Sequence, residues 1–305
     1  MRYLVTGAAG FIGSQLLRAL LDRGHDAVGW DAFTDYYDPS LKEENAEGLP
    51  VERLDLVEAV PDLDGVDGVF HLAGQPGVRS FGEVFPVYVR ENVLATHRVL
   101  EAAVASGSRV VLASSSSVYG DAETYPTPET TAPRPLSPYG VTKLACEHLA
   151  SAYVSQLGAD ALALRYFTIF GPRQRPDMAL ARMIECVVEG KPFELFGDGT
   201  QSRSFTYVGD AVEATVLAME RGLRGATYNI GGGEEVTVLE AIETLGRIAG
   251  RRLELIRSDR REGDARRTAA DTTRIRADLG WQPTTSFADG LEAQWRWAAD
   301  RVAAA

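Results

Sequence analysis

A chain of 305 residues, 45% hydrophobic and 24% charged, has ample apolar surface for one large globular core or two moderate ones. Its formal net charge of −12 argues against nucleic-acid backbones and anionic membranes as partners, because an acidic surface repels both. Cys146 and Cys186 have neither metal-ligand nor disulfide spacing, so they read as core residues of a protein in a reducing compartment that holds no metal.

The first elements come in tight succession. Tyr3, Leu4 and Val5 form a short apolar run ending at Thr6, as a buried parallel strand does. A strand starting at residue 2 leaves no room for a signal peptide, and the chain has no membrane-length apolar run, so a cytoplasmic protein is expected. Gly7, Gly10 and Gly13 follow in the spacing G-x-x-G-x-x-G. Phe11, Ile12, Leu16, Leu17, Leu20 and Leu21 then recur at helical spacing before Gly24. Ala27, Val28 and Trp30 give a second strand with Asp31 at its end. Glycines there let the backbone approach a pyrophosphate lying on the N–H groups that open the helix. An acid ending the second strand accepts hydrogen bonds from both adenosine ribose hydroxyls and repels a 2′-phosphate, which favours NAD over NADP. Strand, turn, helix, strand and acid in register point to a dinucleotide site.

The polar, aromatic stretch 32–45 is too irregular for a core element and reads as a loop. Val51 to Leu54 are a third strand ending in Asp55, an acid placed either for an adenine amino group or to cap the next turn. Val66 to His71 are a fourth strand, followed by the small-residue turn Leu72-Ala73-Gly74, which suits close cofactor approach and any tight βα turn alike. A helix spans about 86–105, and a fifth strand, 109–113, empties into Ser114, Ser115, Ser116 and Ser117. The proline- and threonine-rich segment 121–138 is a loop, 139–156 a helix and 161–165 a sixth strand. Such alternation predicts an α/β fold, a doubly wound parallel Rossmann sheet. Beyond Gly171 the rhythm breaks into short strands such as 193–196 and helices near Ala179, Val208, Thr237 and Phe287. Residues 1–171 are thus expected to form the NAD-binding domain, with 206–232 returning to it. Residues 172–205 and 233–305 are expected to form a smaller mixed α/β C-terminal domain for the substrate.

Tyr139 and Lys143 stand four apart at a helix start, hence on one face. A phenol titrates near pKa ~10, too high for a base at neutral pH. An adjacent ammonium and a positive nicotinamide ring favour the phenolate, giving a base that removes a sugar hydroxyl proton as hydride leaves the same carbon. Ser115, ending a neighbouring strand, is placed to hydrogen-bond the same oxygen and relay the proton. The Y-x-x-x-K spacing recurs by chance on many helices; here it follows a dinucleotide fingerprint and a serine-rich strand end.

These motifs resemble the extended short-chain dehydrogenase/reductase family, the NAD-dependent nucleotide-sugar epimerases and dehydratases. The likeness runs through TGAAGFIG, HLAG, SSSSVYG, YGVTK, RYFTIFGP, GDGTQSRSFTYVGD and REGDARRT. It implies that Ser115, Tyr139 and Lys143 are catalytic, that Asp31 and Asp55 hold the adenosine, and that Lys143 also reaches the nicotinamide ribose. It implies further cofactor contacts from Gly7, Gly10, Gly13, Phe11, Ile12, Leu56, Leu72, Ala73, Gly74, Asn92, Ser114 and Tyr166. Arg203, Arg261 and Asp264 align with positions that hold a nucleotide diphosphate, a task suited to guanidinium forks. Homodimerisation through the helices at 86–105 and 139–156 is implied as well. Gly74 stands where the family often has Ala, Ser204 replaces the usual Asp after Arg203, and Arg173-Gln174 replaces a common Trp-Gly.

Within that family, 4,6-dehydratases carry an Asp-Glu pair just after the catalytic Ser/Thr, and sugar-acid decarboxylases keep a Glu at the position of Ser117. Ser116 and Ser117 provide no carboxyl group, which leaves 4-epimerisation of a UDP-sugar through a 4-keto intermediate. Thr168, Arg175 in the run RPDMA, Arg79 in GQPGVRS, and DYYDPSLK resemble UDP-glucuronate 4-epimerases. The uronate carboxylate would meet Thr168 and Arg175 with Ser116 and Ser117 nearby, which would also keep the β-keto acid intermediate from losing CO2. UDP-glucose is the alternative substrate. A dinucleotide-binding regulator without chemistry is the alternative of another class; such proteins typically lose the Tyr/Lys pair, which this chain retains.

Overall fold

The computed structural model describes residues 1–59, 61–77, 81–259 and 266–304. In chain order its strands are β1 (Arg2–Thr6), β2 (Asp26–Asp31), β3 (Val51–Arg53), β4 (Gly68–His71), β5 (Arg109–Ser115), β6 (Ala161–Tyr166), β7 (Thr168–Phe170), β8 (Phe193–Phe196), β9 (Ser202–Tyr207), β10 (Thr227–Ile230), β11 (Glu235–Thr237), β12 (Leu255–Ser258) and β13 (Arg267–Thr268). The helices are α1 (Phe11–Asp22), α2 (Pro39–Ala46), α3 (Phe85–Tyr88), α4 (Ala95–Ser106), α5 (Pro138–Leu157), α6 (Ala179–Glu189), α7 (Val208–Arg221), α8 (Val238–Ala249), α9 (Thr273–Leu279) and α10 (Phe287–Ala304). Seven strands form one parallel sheet in the order β3-β2-β1-β4-β5-β6-β10.

Alternate residues of each strand point to opposite faces, so both faces need helices over them. Val5, Phe70, Val111 and Leu164 pack with Leu16, Leu17 and Leu20 of α1 and with Val212 and Met219 of α7. Their neighbours Leu4, Val69, Val110 and Leu112 pack on the other face with Val99 and Leu100 of α4 and Cys146 of α5. A separate cluster, including Phe170, Leu180, Ile184, Phe205, Leu245 and Leu291, fills the smaller unit around β9, which pairs with β7, β11 and β13. After β9 the chain runs into α7 and then β10, which pairs with β6 at the edge of the large sheet.

Several expectations need correction. The stretch read as loop contains α2, opened by Pro39 in its first turn and by Asp38, whose side chain accepts the Ser40 N–H at 2.9 Å. The helix expected at 86–105 is interrupted by a π-helical stretch, Val89–Leu94, between α3 and α4. Strand β5 continues through Ser114 and Ser115, and α9 had no counterpart in the sequence reading. No described helix is long and apolar enough to cross a membrane.

Candidate active site

The strand order reverses between β1 and β4, and the loops leaving their C-terminal ends part to open a crevice. The cleft there has a volume of about 270 Å³. Its floor is the glycine turn: Gly7, Gly10, Phe11, Ile12 and Gly13 line it, opposite Leu72, Ala73 and Gly74. A Cβ on Gly7 would fall 2.8 Å from Ala73 N, and one on Gly13 would fall 2.1 Å from Gly7 O, so these two glycines permit the packing of the turn. A Cβ on Gly10 would meet only Gly7 O, at 3.1 Å, and would otherwise occupy the cradle. Gly10 caps α1 without a side chain, leaving the helix's first N–H groups for an anion in the cleft. Asp31 accepts the Ala9 N–H at 3.0 Å and the Phe33 N–H at 2.7 Å, which fixes its carboxylate at the cleft edge with lone pairs to spare. These residues fit a dinucleotide.

Ser114, Ser115, Tyr139, Lys143 and Tyr166 line the same cleft. Helix α5 begins immediately before Tyr139 because Ser137 caps Gly140 N–H at 3.1 Å and Pro138 occupies the first turn. Lys143 is buried, donates to Ala113 O at 2.9 Å, and holds its ammonium 5.9 Å from the Tyr139 ring centre. Ser115 donates to Ser117 Oγ and accepts the Ser117 N–H, each at 3.1 Å. Behind them lies a group not singled out from the sequence. Glu147, one further turn along the Tyr139–Lys143 face, pairs bidentately with Arg165 at 2.9 and 2.7 Å and accepts from Ser114 Oγ.

Other expected residues are engaged by neighbouring groups of the protein. Asp55 accepts the Val57 N–H and the Arg90 guanidinium, both at 2.8 Å, so its observed partners are those of a turn cap and ion pair. Leu56 packs in the core beneath α4. Asn92, buried in the π-helical stretch, accepts Gln75 N–H at 2.8 Å and donates to Thr142 Oγ1 at 3.0 Å, clamping the β4 turn to α5. An Ala at Gly74 would press its Cβ to 2.6 Å from Asn92 Oδ1, so the family's common residue would not fit here without movement. Ser116 and Ser117 form the 3-10 turn behind Ser115. Thr168 opens β7, half-buried between Phe167 and Ile169, both of which line the cleft. Arg203 lies on β9 and donates to Ser202 O at 2.8 Å. Arg79, Arg261 and Asp264 lie outside the described residues.

Arg175 reaches the cleft wall together with Tyr36, Tyr37 and Met178. Its Nε and Nη2 donate to Asp177 Oδ1 and Oδ2 at 2.9 and 3.1 Å, and Tyr36 donates to the same carboxylate at 3.3 Å. Burial lowers the Arg175 pKa and raises that of Asp177; the ion pair outweighs both effects, holding Arg175 above and Asp177 below its ordinary value. Burial and Asp177 push the Tyr36 phenol up to about 12. Lys42 of α2 donates to Thr34 O and Oγ1 at 2.7 and 2.9 Å on this wall. Tyr36 and Lys42 belong to the DYYDPSLK motif, which the sequence marks only as a resemblance and without individual roles. Asp177 carried a signal, an acid two residues past a chosen arginine.

The model of the family described as NAD dependent epimerase/dehydratase matches residues 3–231. A Bacillus subtilis (strain 168) protein named as an uncharacterized UDP-glucose epimerase, YtcB, is 43% identical over 303 residues, covering 95% of this chain and 96% of its own. The crystal structure of UDP-glucuronic acid 4-epimerase from Bacillus cereus with UDP-glucuronic acid and NAD has a TM-score of 0.94 at 40% identity, covering 99% of this chain and 100% of that one. MoeE5, solved with NAD and either UDP-glucuronic acid or UDP-glucose, has a TM-score of 0.87 at 43% and 42% identity, covering 99% of this chain and 100% of its own.

Proposed function

The chain belongs to the NAD dependent epimerase/dehydratase family, and on that premise we propose that it is an NAD-dependent 4-epimerase of UDP-sugars that interconverts UDP-glucuronate and UDP-galacturonate. The observation that carries the substrate choice is Arg175 on the wall of the cleft that also holds Tyr139 and Lys143. Relatives named or solved as epimerases of UDP-glucuronic acid support it. The residues around the glycine turn, with Asp31, Leu72, Ala73 and Lys143, would hold the dinucleotide.

A bound nicotinamide supplies the acceptor, and on return the donor, of the sugar's C4 hydride. Tyr139 takes the O4 proton and later gives it back, working in the field of the Lys143 ammonium. Ser115 hydrogen-bonds O4, held in place by its own bonds to Ser117. Turning the 4-keto sugar over between the two steps would present the opposite face of C4 for reduction, while Tyr139 would return the proton to O4. Ser116 and Ser117 have no carboxyl group to drive loss of the C6 hydroxyl or of CO2. Arg175 grips the uronate carboxylate with a planar fork and keeps it from aligning with the keto group.

Protein loaded with NAD and incubated with UDP-glucuronate is expected to yield UDP-galacturonate by proton NMR, and Tyr139→Phe should slow this by about 10²–10⁴-fold. An unchanged sugar with cofactor bound overturns the reading; CO2 release with a pentose product would instead make it a decarboxylase. UDP-glucose is the second reading, favoured by Asp177 occupying part of the Arg175 fork and by the name of the Bacillus subtilis relative. We further read the protein as a cytoplasmic homodimer. Both cysteines are free thiols, and Val87, Val89, Leu94 and Val141 expose apolar surface along Phe85–Ser106 and α5.

A further inference from the structure

We propose that Asp177 is a specificity-determining residue: its carboxylate occupies the side-on fork of Arg175 and tempers the cleft's preference for a sugar bearing a C6 carboxylate over one bearing a neutral C6 hydroxymethyl. This rests on the reading of Arg175 as the group that meets the sugar's C6 substituent.

A guanidinium has five N–H donors, arranged as a side-on fork from Nε and one Nη and an end-on fork from the two Nη atoms. Asp177 takes the side-on fork, with Oδ1 on Nε at 2.9 Å and Oδ2 on Nη2 at 3.1 Å. Tyr36 steadies that carboxylate through its hydroxyl at 3.3 Å, and its ring lies under the guanidinium, 6.0 Å from the ring centre. Arg175 is thereby aimed and partly neutralised at once. The remaining Nη1 protons and the second Nη2 proton are left for a ligand in the cleft that Arg175 lines. A uronate bound there brings a second carboxylate to a guanidinium that already has one, and the two like charges repel across it. A neutral hydroxyl accepts from the same protons without that repulsion. Asp177 thus narrows the gap between the two sugars, and the hydrogen bonds that aim Arg175 serve both. The side chains of Arg175 and Asp177 are 25% and 38% exposed, so solvent moderates the effect without abolishing it.

The test measures kcat/KM for UDP-glucuronate and UDP-glucose on NAD-loaded protein, with Kd for each from calorimetry. Asp177→Asn keeps an acceptor for Arg175 and removes the charge. It should raise the UDP-glucuronate to UDP-glucose ratio about tenfold, in Kd as well as in kcat/KM. Asp177→Ser, which also removes the charge, should move the ratio the same way, while Asp177→Glu should leave it within about twofold of native. In an Arg175→Met background Asp177→Asn should still raise the ratio, because the repulsion between the two carboxylates remains once the guanidinium is gone. A ratio that stays put or falls in the charge-removing variants overturns the proposal, as does loss of the Asp177→Asn effect in the Arg175→Met background. If Arg175→Met alone leaves the ratio unchanged, the reading of Arg175 as the carboxylate's holder fails, and that result is distinct from a failure at Asp177.

Discussion

His71 ends β4 with both ring nitrogens engaged and 1% of its surface exposed. The Ala73 N–H donates to Thr6 Oγ1 at 3.2 Å, and the Thr6 hydroxyl lies 2.8 Å from His71 Nδ1. On the far side His71 Nε2 lies 3.1 Å from Thr96 Oγ1, Thr96 donates to Cys146 Sγ at 3.4 Å, and the Cys146 thiol donates to Asn92 O at 3.3 Å. The donors run one way only if Nε2 carries the proton and the ring is neutral. A second proton, on Nδ1, would turn the Thr6 hydroxyl proton away from its acceptor, and burial together with the Lys143 ammonium drives the His71 pKa down to about 3 from its ordinary 6.5. The sign follows. The unfolded chain takes up a proton below its ordinary value and the folded one does not, so this contribution is complete above pH 6.5 and lost as pH falls toward 3. Between pH 6.5 and 5 the loss should reach about 2 kcal/mol, at ~1.4 kcal/mol per pH unit. Urea unfolding at the two pH values should give His71→Gln a shallower decline by about that amount; parallel declines would count against a neutral, buried ring.

Among the elements, α5 does the most to assemble the site. Tyr139, Lys143 and Glu147 repeat at one helical turn, so one face presents phenol, ammonium and carboxylate in sequence. The carboxylate faces Arg165 of β6, both groups nearly inaccessible, and Arg165 also donates to the Tyr119 hydroxyl at 2.8 Å. A buried pair of this kind fixes the helix against β5 and β6 more than it stabilises them, because desolvation offsets most of the attraction. Arg165→Leu, which strands Glu147 without its counter-charge, should cost about 3–5 kcal/mol in urea unfolding. The double variant Glu147→Leu/Arg165→Leu should recover most of that loss, and a double variant no more stable than the single would refute the account. A second device of the same scale is the π-helical stretch, whose extra residue turns Asn92 inward to bridge Gln75 and Thr142.

At the scale of the whole molecule, the apolar side chains left on the outer faces of Phe85–Ser106 and α5 call for a partner. Phe85, Val87, Val89 and Leu94 are 37–41% exposed and Val141 46%, an unusual density for a solvated helix pair. Light scattering after size exclusion is expected to give twice the 33.0 kDa chain mass, and Leu94→Glu combined with Val141→Glu should return it to one. A native protein that elutes at the mass of one chain would dismiss the homodimer.

The sequence by itself determined the doubly wound sheet, the glycine turn, Asp31 and the Tyr139–Lys143 pair, because each is a matter of short-range spacing: period, turn and helical face are local properties of the chain. It was silent on α2, where a helix start hid among aromatic and acidic residues, and on Glu147, and it carried Tyr36 and Asp177 only inside motifs, with no role of their own. For Asp55 it left two roles open, and the fold shows the turn cap, Oδ1 accepting the Val57 N–H. Those decisions belong to tertiary structure. Whether Arg175 meets a ligand, an acid two residues along, or both depends on how the loop after β7 is held against Tyr36, more than a hundred residues earlier in the chain. No local pattern encodes which distant side chain will be waiting there.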